Sequence, residues 1–190
     1  MKLILIKHGE TEEGKKGIIL GSLPGTLTEK GKKDAKKIAK NLKKSGLIFD
    51  GIMTSDLERA KDTAEIIGKE LKLQVKTNKL LRERKAGIAE GKTEKEINWE
   101  EYEKQPLLKR KHKRGESFSD VKERAKKFIE SIKRFRNGDI IIVSHDVFIK
   151  MLLSASLNYS VKKSLSEDIR NKAIIIDTEK KKKAEIIPLL

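Results

Sequence analysis

Apolar runs alternate along this chain with segments whose apolar residues recur every three or four positions. The continuous runs at residues 3–6 and 140–143 predict strands that are buried on both faces. Further strands are predicted at residues 47–53, 73–75, 172–177 and 184–187. Because strands that alternate with helices indicate a mostly parallel sheet covered on both sides, the predicted fold is a three-layer α/β/α sandwich.

Four segments have the period of an amphipathic helix. The first follows Thr28, a candidate N-cap, and the second follows Ser55, which matches a capping box with Glu58 three residues later. The third covers residues 118–135 and ends near Asn137, and the fourth covers residues 147–157. These helices supply the apolar faces that the two sides of the sheet require.

The remaining segments have irregular patterns. Residues 12–25 contain four glycines and predict a loop long enough to form one wall of a pocket, and residues 180–183 predict a lysine-rich turn. Residues 85–117 predict a small helical cap or lid within a single domain that spans residues 1–190. The basic run at residues 109–114 is interpreted as a solvated surface, and steering of anionic substrates is the alternative.

Composition narrows the class of protein. The chain has no cysteine, which excludes disulfide and thiolate chemistry and disfavours most zinc sites. It has no apolar run near the roughly 18 residues that a membrane span needs, and no signal-peptide pattern, so we expect a cytoplasmic protein. Abundant lysine and glutamate, with only two glutamines, suggest a thermophile, a hypothesis that a measured melting midpoint of about 50 °C would contradict.

Charge indicates the kind of partner. The chain has 45 Lys+Arg against 29 Asp+Glu, a net charge of +16 that attracts anions. Aromatic residues make up only 4% of the chain, which disfavours nucleic acid because few side chains can stack on bases. The charge therefore suits a phosphorylated small molecule or, less well, nucleic acid, and the oligomeric state is left open.

Two of the buried strands end in histidine. Residues 3–6 lead into Lys7, His8 and Gly9, and residues 140–143 lead into Ser144 and His145. Parallel strands would place both imidazoles at the carboxyl edge of the sheet, where ligands of open α/β sheets bind, and Gly9 lets the backbone turn tightly or approach an anion. Each histidine alone could be a structural residue, and metal binding by two histidines and a glutamate is a further alternative.

One arginine occupies the first turn of the second helix. Arg59 lies close to free backbone N–H groups and to the positive end of the helix dipole, a combination that suits a bound anion. The alternative is a surface arginine that forms an ion pair with Glu58 or Asp62.

Together these motifs resemble the histidine phosphatase superfamily, which includes the cofactor-dependent phosphoglycerate mutases. The resemblance covers roughly residues 3–150, with the motifs in the order of the family. It is carried by LIKHGET at residues 5–11, LTEKG at 27–31, SDLERAKDTA at 55–64, Leu81 to Arg84 followed by Glu90-Gly91, Gly115-Glu116-Ser117, and Val143-Ser144-His145.

The resemblance implies a role for each site residue. His8 would be the nucleophile that carries a phosphoryl group, and Glu83 would protonate the leaving oxygen and later activate water. Arg59, His145 and Lys7 would hold the equatorial phosphate oxygens. No metal or other cofactor is implied. The substrate-binding positions that we expect are Lys7, Gly9, Thr11, Arg59 and Asp146.

Three positions depart from the family pattern. Lys7 replaces an arginine and loses the planar fork that grips phosphate, and Gly14 replaces an asparagine that contacts phosphate in many members. Asp146 replaces a glycine and should repel a phosphate dianion, although it suits a helix N-terminus and could pair with Lys7.

The resemblance leaves three functions to weigh. A phosphatase acting on a small phosphorylated metabolite is favoured. A phosphoglycerate mutase is the second and less favoured candidate. The chain is short for a mutase, and Ala86 replaces a tyrosine that contacts the substrate in mutases. A degenerate member that binds a phosphorylated ligand or RNA without turnover is the third.

Overall fold

The computed structural model describes residues 1–133, 138–179 and 184–189, and in these residues six strands form one sheet. The strands are β1 (Lys2–Lys7), β2 (Phe49–Thr54), β3 (Val75–Thr77), β4 (Asp139–Ser144), β5 (Lys172–Asp177) and β6 (Glu185–Pro188). Their order across the sheet is β3-β2-β4-β1-β5-β6. The pairs β3–β2, β2–β4 and β4–β1 are parallel, whereas β5 is antiparallel to β1 and β6 is antiparallel to β5. The prediction of a mostly parallel sheet is confirmed.

Helices cover both faces of the sheet. Alternate residues of β1 enter different cores: Ile4 and Ile6 pack with the helices α2 and α3, whereas Leu3 and Leu5 pack with α5 and α6. Two apolar cores separated by one sheet confirm the three-layer sandwich. The helices of the described residues are α1 (Glu12–Lys15), α2 (Glu29–Lys44), α3 (Glu58–Leu71), α4 (Trp99–Glu103), α5 (Phe118–Ile132), α6 (Asp146–Ser156) and α7 (Val161–Ser166).

Local interactions explain where the helices begin and end. The predicted N-cap Thr28 is confirmed, because its hydroxyl accepts a hydrogen bond from the Gly31 N–H at 2.9 Å. The predicted capping box at Ser55 is wrong. Ser55 Oγ accepts from the Leu57 N–H at 3.1 Å, and α3 begins only at Glu58, without a side-chain cap.

Several element boundaries differ from the sequence-based expectation. The predicted loop at residues 12–25 contains the single-turn helix α1, which Thr11 caps, and α7 was not predicted at all. Strand β3 lies two residues later than expected, and β2 has a register shift between Phe49 and Gly51. The expected end of the third helix at Phe135 and Asn137, and the turn at 180–183, lie outside the described residues.

The segment 85–117 contains α4 and short 3-10 turns but no strand of the sheet. The imidazole of His112 stacks on the ring of Tyr102, with centroids 4.3 Å apart, and the Arg110 guanidinium donates to the Glu103 carbonyl at 2.8 Å. Part of the basic run at 109–114 therefore holds this segment together, which the interpretation as a solvated surface did not anticipate.

Candidate active site

The two strand-end histidines meet at the carboxyl edge of the sheet. Strands β1 and β4 are adjacent and parallel, with Lys7 in register with Ser144. His8 and His145 therefore leave the sheet side by side, with ring centroids 5.2 Å apart. The structure thus brings together the two histidines that the strand pattern singled out.

Hydrogen bonds fix the tautomer of His8. Its Nδ1 lies 2.8 Å from the Gly9 carbonyl, which can only accept, so Nδ1 carries the proton. Nε2 consequently carries an unprotonated lone pair, which accepts the Arg59 Nε–H at 3.3 Å. Desolvation is the main cause that lowers the pKa of His8 to about 3, and the charges of Arg59 and Lys7 add to it. The imidazole is therefore neutral near pH 7, as a nucleophile requires.

His145 is fully buried at the N-terminus of α6. Neither of its ring nitrogens has a hydrogen-bond partner among the described residues. Burial, followed by the proximity of His8 and Arg59, holds the pKa of His145 well below its usual value. A buried polar group without a partner is costly. Because His145 lies beside His8, an oxyanion bound there would supply the missing hydrogen-bond partner of its imidazole.

Arg59 is buried, only 1% exposed, and it does not form the surface ion pair that was the alternative interpretation. Its terminal nitrogens donate to the Gly21 carbonyl at 2.8 Å and the Leu23 carbonyl at 2.6 Å. A guanidinium has five N–H groups, and these contacts together with His8 occupy three of them. Two N–H groups are left for a phosphate.

Glu83 lies at the N-terminus of α6. Its carboxylate accepts from the Arg84 N–H at 2.7 Å, the Phe148 N–H at 3.2 Å and the Val147 N–H at 3.3 Å. Burial is the main cause that raises the pKa of Glu83, and nearby Asp146 raises it further, against the opposing effect of these hydrogen bonds. A raised pKa favours the protonated form that a general acid needs.

The predicted pair of Lys7 and Asp146 is present but long. Lys7 Nζ lies 3.8 Å from Asp146 Oδ1, whereas Lys150 Nζ lies 2.8 Å from Asp146 Oδ2. The pair of Lys150 and Asp146 was not predicted, although the i,i+4 spacing of the two residues on one helix is typical of an ion pair. Asp146 therefore pairs chiefly with Lys150, and its ion pair with Lys7 is the weaker of the two.

Gly9 and Thr11 have structural partners. The Gly9 N–H donates to Thr63 Oγ1 at 3.0 Å, and a Cβ on Gly9 would lie 2.9 Å from the Gly31 carbonyl oxygen. The backbone at Gly9 therefore makes a close approach to the backbone at Gly31. Thr11 Oγ1 accepts from the Gly14 N–H at 3.1 Å as the cap of α1, and Thr11 also lines the cavity.

These side chains line a cavity of about 250 Å³. The polar side is formed by His8, Arg59, Glu83, Lys7 and Asp146, and the apolar side is formed by Ile18, Ile19, Leu20, Ala86 and Val147. In the described part of the chain, no group of three or more His, Asp, Glu or Cys side chains has an arrangement suited to a metal ion.

A half-buried arginine that was not predicted from the sequence supports Glu83. Arg124, on α5, donates to the Arg82 carbonyl at 2.6 Å, the Leu80 carbonyl at 3.0 Å and the Glu83 carbonyl at 3.2 Å. Glu116 holds the same guanidinium at 2.8 Å. Residues 115–117 were recognised as a motif, but the sequence did not show that Glu116 and Arg124 fix the backbone of Glu83.

The fold and the site define an α/β protein with a histidine, an arginine and a glutamate around one cavity, and with a second histidine buried beside the first. Residues 3–187 match the sequence model of the histidine phosphatase superfamily (branch 1). The chain therefore belongs to that superfamily, as the motifs predicted. Among the described residues, no helix is long and apolar enough to cross a membrane.

Similar proteins include phosphatases and a mutase homologue. "Probable phosphoglycerate mutase GpmB" of Escherichia coli is 29% identical over 163 residues, which cover 83% of this chain and 75% of that protein. The structure of YhfR from Bacillus stearothermophilus is 30% identical, with a TM-score of 0.83, covering 93% of this chain and 90% of YhfR. An α-ribazole phosphatase from Shigella flexneri is 25% identical, with a TM-score of 0.83 and coverages of 99% and 95%.

Proposed function

We propose that this protein hydrolyses small phosphomonoesters through a phosphohistidine on His8. The observation that carries the proposal is the tautomer of His8: Nδ1–H is bound to the Gly9 carbonyl, so Nε2 presents a lone pair to the cavity. Glu83 borders the same cavity and has a raised pKa. A neutral nucleophile and a protonated acid on one cavity are what transfer of a phosphoryl group to nitrogen requires.

The first step forms the phosphoenzyme. A phosphate oxygen takes over the Arg59 N–H that Nε2 accepts in the resting state, and Nε2 then attacks phosphorus. The bond from phosphorus to the leaving oxygen breaks, and that oxygen receives the proton of Glu83. Arg59, His145 and Lys7 hold the equatorial oxygens as charge develops on them.

The second step returns the enzyme to its starting state. The Glu83 carboxylate accepts a proton from water while the water oxygen attacks phosphorus. The bond between phosphorus and His8 Nε2 breaks, inorganic phosphate forms, and Glu83 is again protonated. Neither step needs a metal ion or another cofactor, since side chains of this chain supply every proton and charge.

The lining of the cavity favours a phosphatase over a mutase. Apart from Lys7 and Arg59, the only cation among the described residues that line the cavity is Arg84. Its guanidinium donates to the Tyr102 hydroxyl at 2.8 Å and lies 4.5 Å from the Phe118 ring centroid. Arg84 is thus engaged on its Tyr102 side, and the apolar wall of this cavity adds no further cation for the carboxylate or second phosphate of a phosphoglycerate.

We also propose that the segment 85–117 acts as a cap that selects the substrate. It contributes Ala86 to the cavity, and Arg84, just before it, is fixed by Tyr102 within it. In this proposal the leaving group of the substrate contacts the cap, while the phosphate contacts the sheet edge. The single domain over residues 1–190 is part of the same proposal.

Trapping of the intermediate tests the proposed function. Brief incubation with a labelled phosphodonor should leave acid-labile, base-stable phosphate on the wild-type protein, and His8→Ala should abolish both the label and the release of phosphate from p-nitrophenyl phosphate. His112→Ala is the matched control, because His112 is the one other histidine outside the site. Equal labelling of His8→Ala would show that the nucleophile is wrong. If the protein turned over no substrate but retained RNA with a steep dependence on salt, the degenerate member that binds without turnover would be favoured.

A further inference from the structure

Glu90 is a member of the Glu-Gly motif that the proposed mechanism does not use. Its Oε1 accepts two backbone hydrogen bonds, from the Ser22 N–H at 2.9 Å and from the Ala86 N–H at 3.0 Å. The carboxylate therefore joins two segments that are far apart in sequence, residues 18–25 and residues 86–92. Backbone bonds reinforce the connection, from the Gly91 N–H to the Ile19 carbonyl at 2.8 Å and from the Ile19 N–H to the Lys92 carbonyl at 2.8 Å.

The first of these segments holds Arg59. The Gly21 and Leu23 carbonyls, on either side of Ser22, accept from the two terminal nitrogens of the guanidinium. Gly21 has a φ of +51°, and a Cβ there would collide with Glu90 Oε1 and with the Ala86 backbone nitrogen. The backbone at Gly21 is therefore pressed against the Glu90 carboxylate, and this contact fixes where the two carbonyls point.

Arg59 in turn holds the nucleophile. Its Nε–H donates to His8 Nε2, so the orientation of the guanidinium determines the orientation of the lone pair that attacks. Arg59 is buried and forms no ion pair among the described residues, which leaves the two loop carbonyls and His8 as its hydrogen-bond acceptors there. A displacement of the loop is consequently transmitted to His8.

We infer that Glu90 is a positioning residue for the phosphoryl-transfer reaction. It fixes the carbonyls that orient Arg59, and Arg59 orients His8 and the incoming phosphate. The inference rests on the proposed function for its kinetic consequences, but the chain of contacts from Glu90 to His8 exists in the protein without substrate and can be measured there.

Charge is the competing explanation, because Glu90 also stabilises the positive charge of Arg59 electrostatically. Two substitutions separate the explanations. Glu90→Gln keeps an oxygen at the same reach and removes the charge, whereas Glu90→Asp keeps the charge and withdraws the oxygen by one methylene. Positioning requires the oxygen at full reach, so Gln should preserve function and Asp should impair it.

The kinetic test compares these variants with wild type. Glu90→Asp should lower kcat/KM for p-nitrophenyl phosphate by roughly 10- to 100-fold, because small displacements of catalytic groups have effects of this order. The acid limb of the pH profile of kcat/KM for Glu90→Asp should move to higher pH by about one unit, because Arg59 no longer depresses the pKa of His8. Glu90→Gln should remain within about threefold of wild type, since a change well below 1.4 kcal/mol is expected.

Asp177 supplies matched controls. Its carboxylate likewise accepts a backbone N–H, that of Glu179 at 2.9 Å, and it is in register with Lys2, at the edge of the sheet opposite His8. Asp177→Asn and Asp177→Glu should leave kcat/KM and the acid limb unchanged. A loss in Glu90→Gln alone would overturn positioning in favour of charge, and equal losses in both variants would overturn it because an oxygen at full reach would then not suffice. An unchanged Glu90→Asp would overturn the inference altogether.

A second measurement does not depend on turnover. Long-range ¹H–¹⁵N spectra report whether His8 Nε2 accepts a hydrogen bond, and the chain has only three histidines to assign. Glu90→Asp should move the Nε2 resonance toward that of an imidazole nitrogen without a donor, and Glu90→Gln should not. If wild type lacked phosphatase activity, the proposed function would fail, and this spectrum would still confirm or refute the path from Glu90 to His8.

Discussion

At the scale of single residues, the environment moves two protonation equilibria in opposite directions. The pKa of His8 is lowered to about 3, while the pKa of Glu83 is raised. Near neutral pH the histidine is therefore neutral, and a larger fraction of the glutamate is protonated than in water. Burial is the main cause of both shifts, because it disfavours the charged form of each group.

These shifts predict the pH dependence of the free enzyme. As pH falls toward 3, His8 gains a proton and the nucleophile is lost, which gives an acid limb in kcat/KM. As pH rises through the raised pKa of Glu83, the acid is lost, which gives an alkaline limb. Glu83→Gln should remove the alkaline limb for alkyl phosphates.

The same substitution should depend on the leaving group. For alkyl phosphates, Glu83→Gln should lower the rate roughly 10²- to 10⁴-fold. For p-nitrophenyl phosphate it should slow phosphoenzyme formation much less, since that leaving group needs no proton. Stopped-flow measurement of p-nitrophenol release and steady-state rates on an alkyl phosphate make the comparison. Equal losses on both substrates would assign Glu83 a role in binding.

Asp146 provides a second prediction at this scale. Its carboxylate lies between Lys150 and Lys7 and should oppose a phosphate dianion. Asp146→Asn should raise kcat/KM by roughly tenfold, about 1.4 kcal/mol. Lys150→Met should lower it, because Asp146 would then pair more closely with Lys7, and adding Asp146→Asn to Lys150→Met should restore it.

A double-mutant cycle on kcat/KM with one phosphomonoester measures this coupling. The control is Lys61→Met, which removes an i,i+4 pair with Glu65 on α3, away from the site. Additive effects of Asp146→Asn and Lys150→Met, or a loss of activity in Asp146→Asn, would indicate that Asp146 serves the helix N-terminus or the chemistry instead.

At the scale of elements, the sequence pattern identified the strands that carry the two histidines, because continuous apolar runs mark strands buried on both faces. It could not give the antiparallel direction of β5, since apolar runs look the same in either direction. The capping box at Ser55 failed because its hydroxyl is used two residues on, at Leu57. Which backbone N–H a serine hydroxyl binds depends on the path of the residues that follow it.

The candidate site was predictable only in part for a similar reason. Motifs identified His8, Arg59, Glu83 and His145, since each lies in a recognisable local context. The contacts of Arg59 with loop carbonyls and of Lys150 with Asp146 depend on three-dimensional packing. Arg124 could not be identified from local sequence, because its three carbonyl acceptors lie more than 40 residues away in sequence.

Arg124 yields a prediction at the scale of elements. Arg124→Met should leave three carbonyls without this donor and break the half-buried pair with Glu116, which we expect to cost about 1–3 kcal/mol of stability, the range for leaving acceptors unsatisfied. Activity on alkyl phosphates should fall more than activity on p-nitrophenyl phosphate, because Glu83 loses its support. Chemical denaturation and the two assays test this.

Lys126→Met is the comparison for that variant. It removes an exposed pair with Glu123 on the same helix α5, so its effect on stability should stay below about 1 kcal/mol. Similar losses for the two variants, or an Arg124→Met that loses both activities equally, would argue against a specific support of Glu83.

At the scale of the whole molecule, the net charge of +16 should steer anionic substrates to the cavity. We expect kcat/KM for a dianionic phosphomonoester to fall severalfold between about 0.01 M and 0.15 M salt, as the Debye length shrinks from about 30 Å to about 8 Å. The value of kcat should change little, since bound substrate is already in place. A kcat/KM that is independent of ionic strength would show that the surplus lysines do not assist capture.

The central position of β1 also governs how the molecule assembles. Leu3 pairs with Ile140 on one side and with Ile176 on the other, so this strand is synthesised long before either neighbour exists. Contacts of such large sequence separation slow folding and expose apolar segments meanwhile. His8, at the end of β1, therefore stays unburied until the last third of the chain has been synthesised. Catalytic competence is therefore expected to appear late and all at once, when β4 and β5 enclose the first strand.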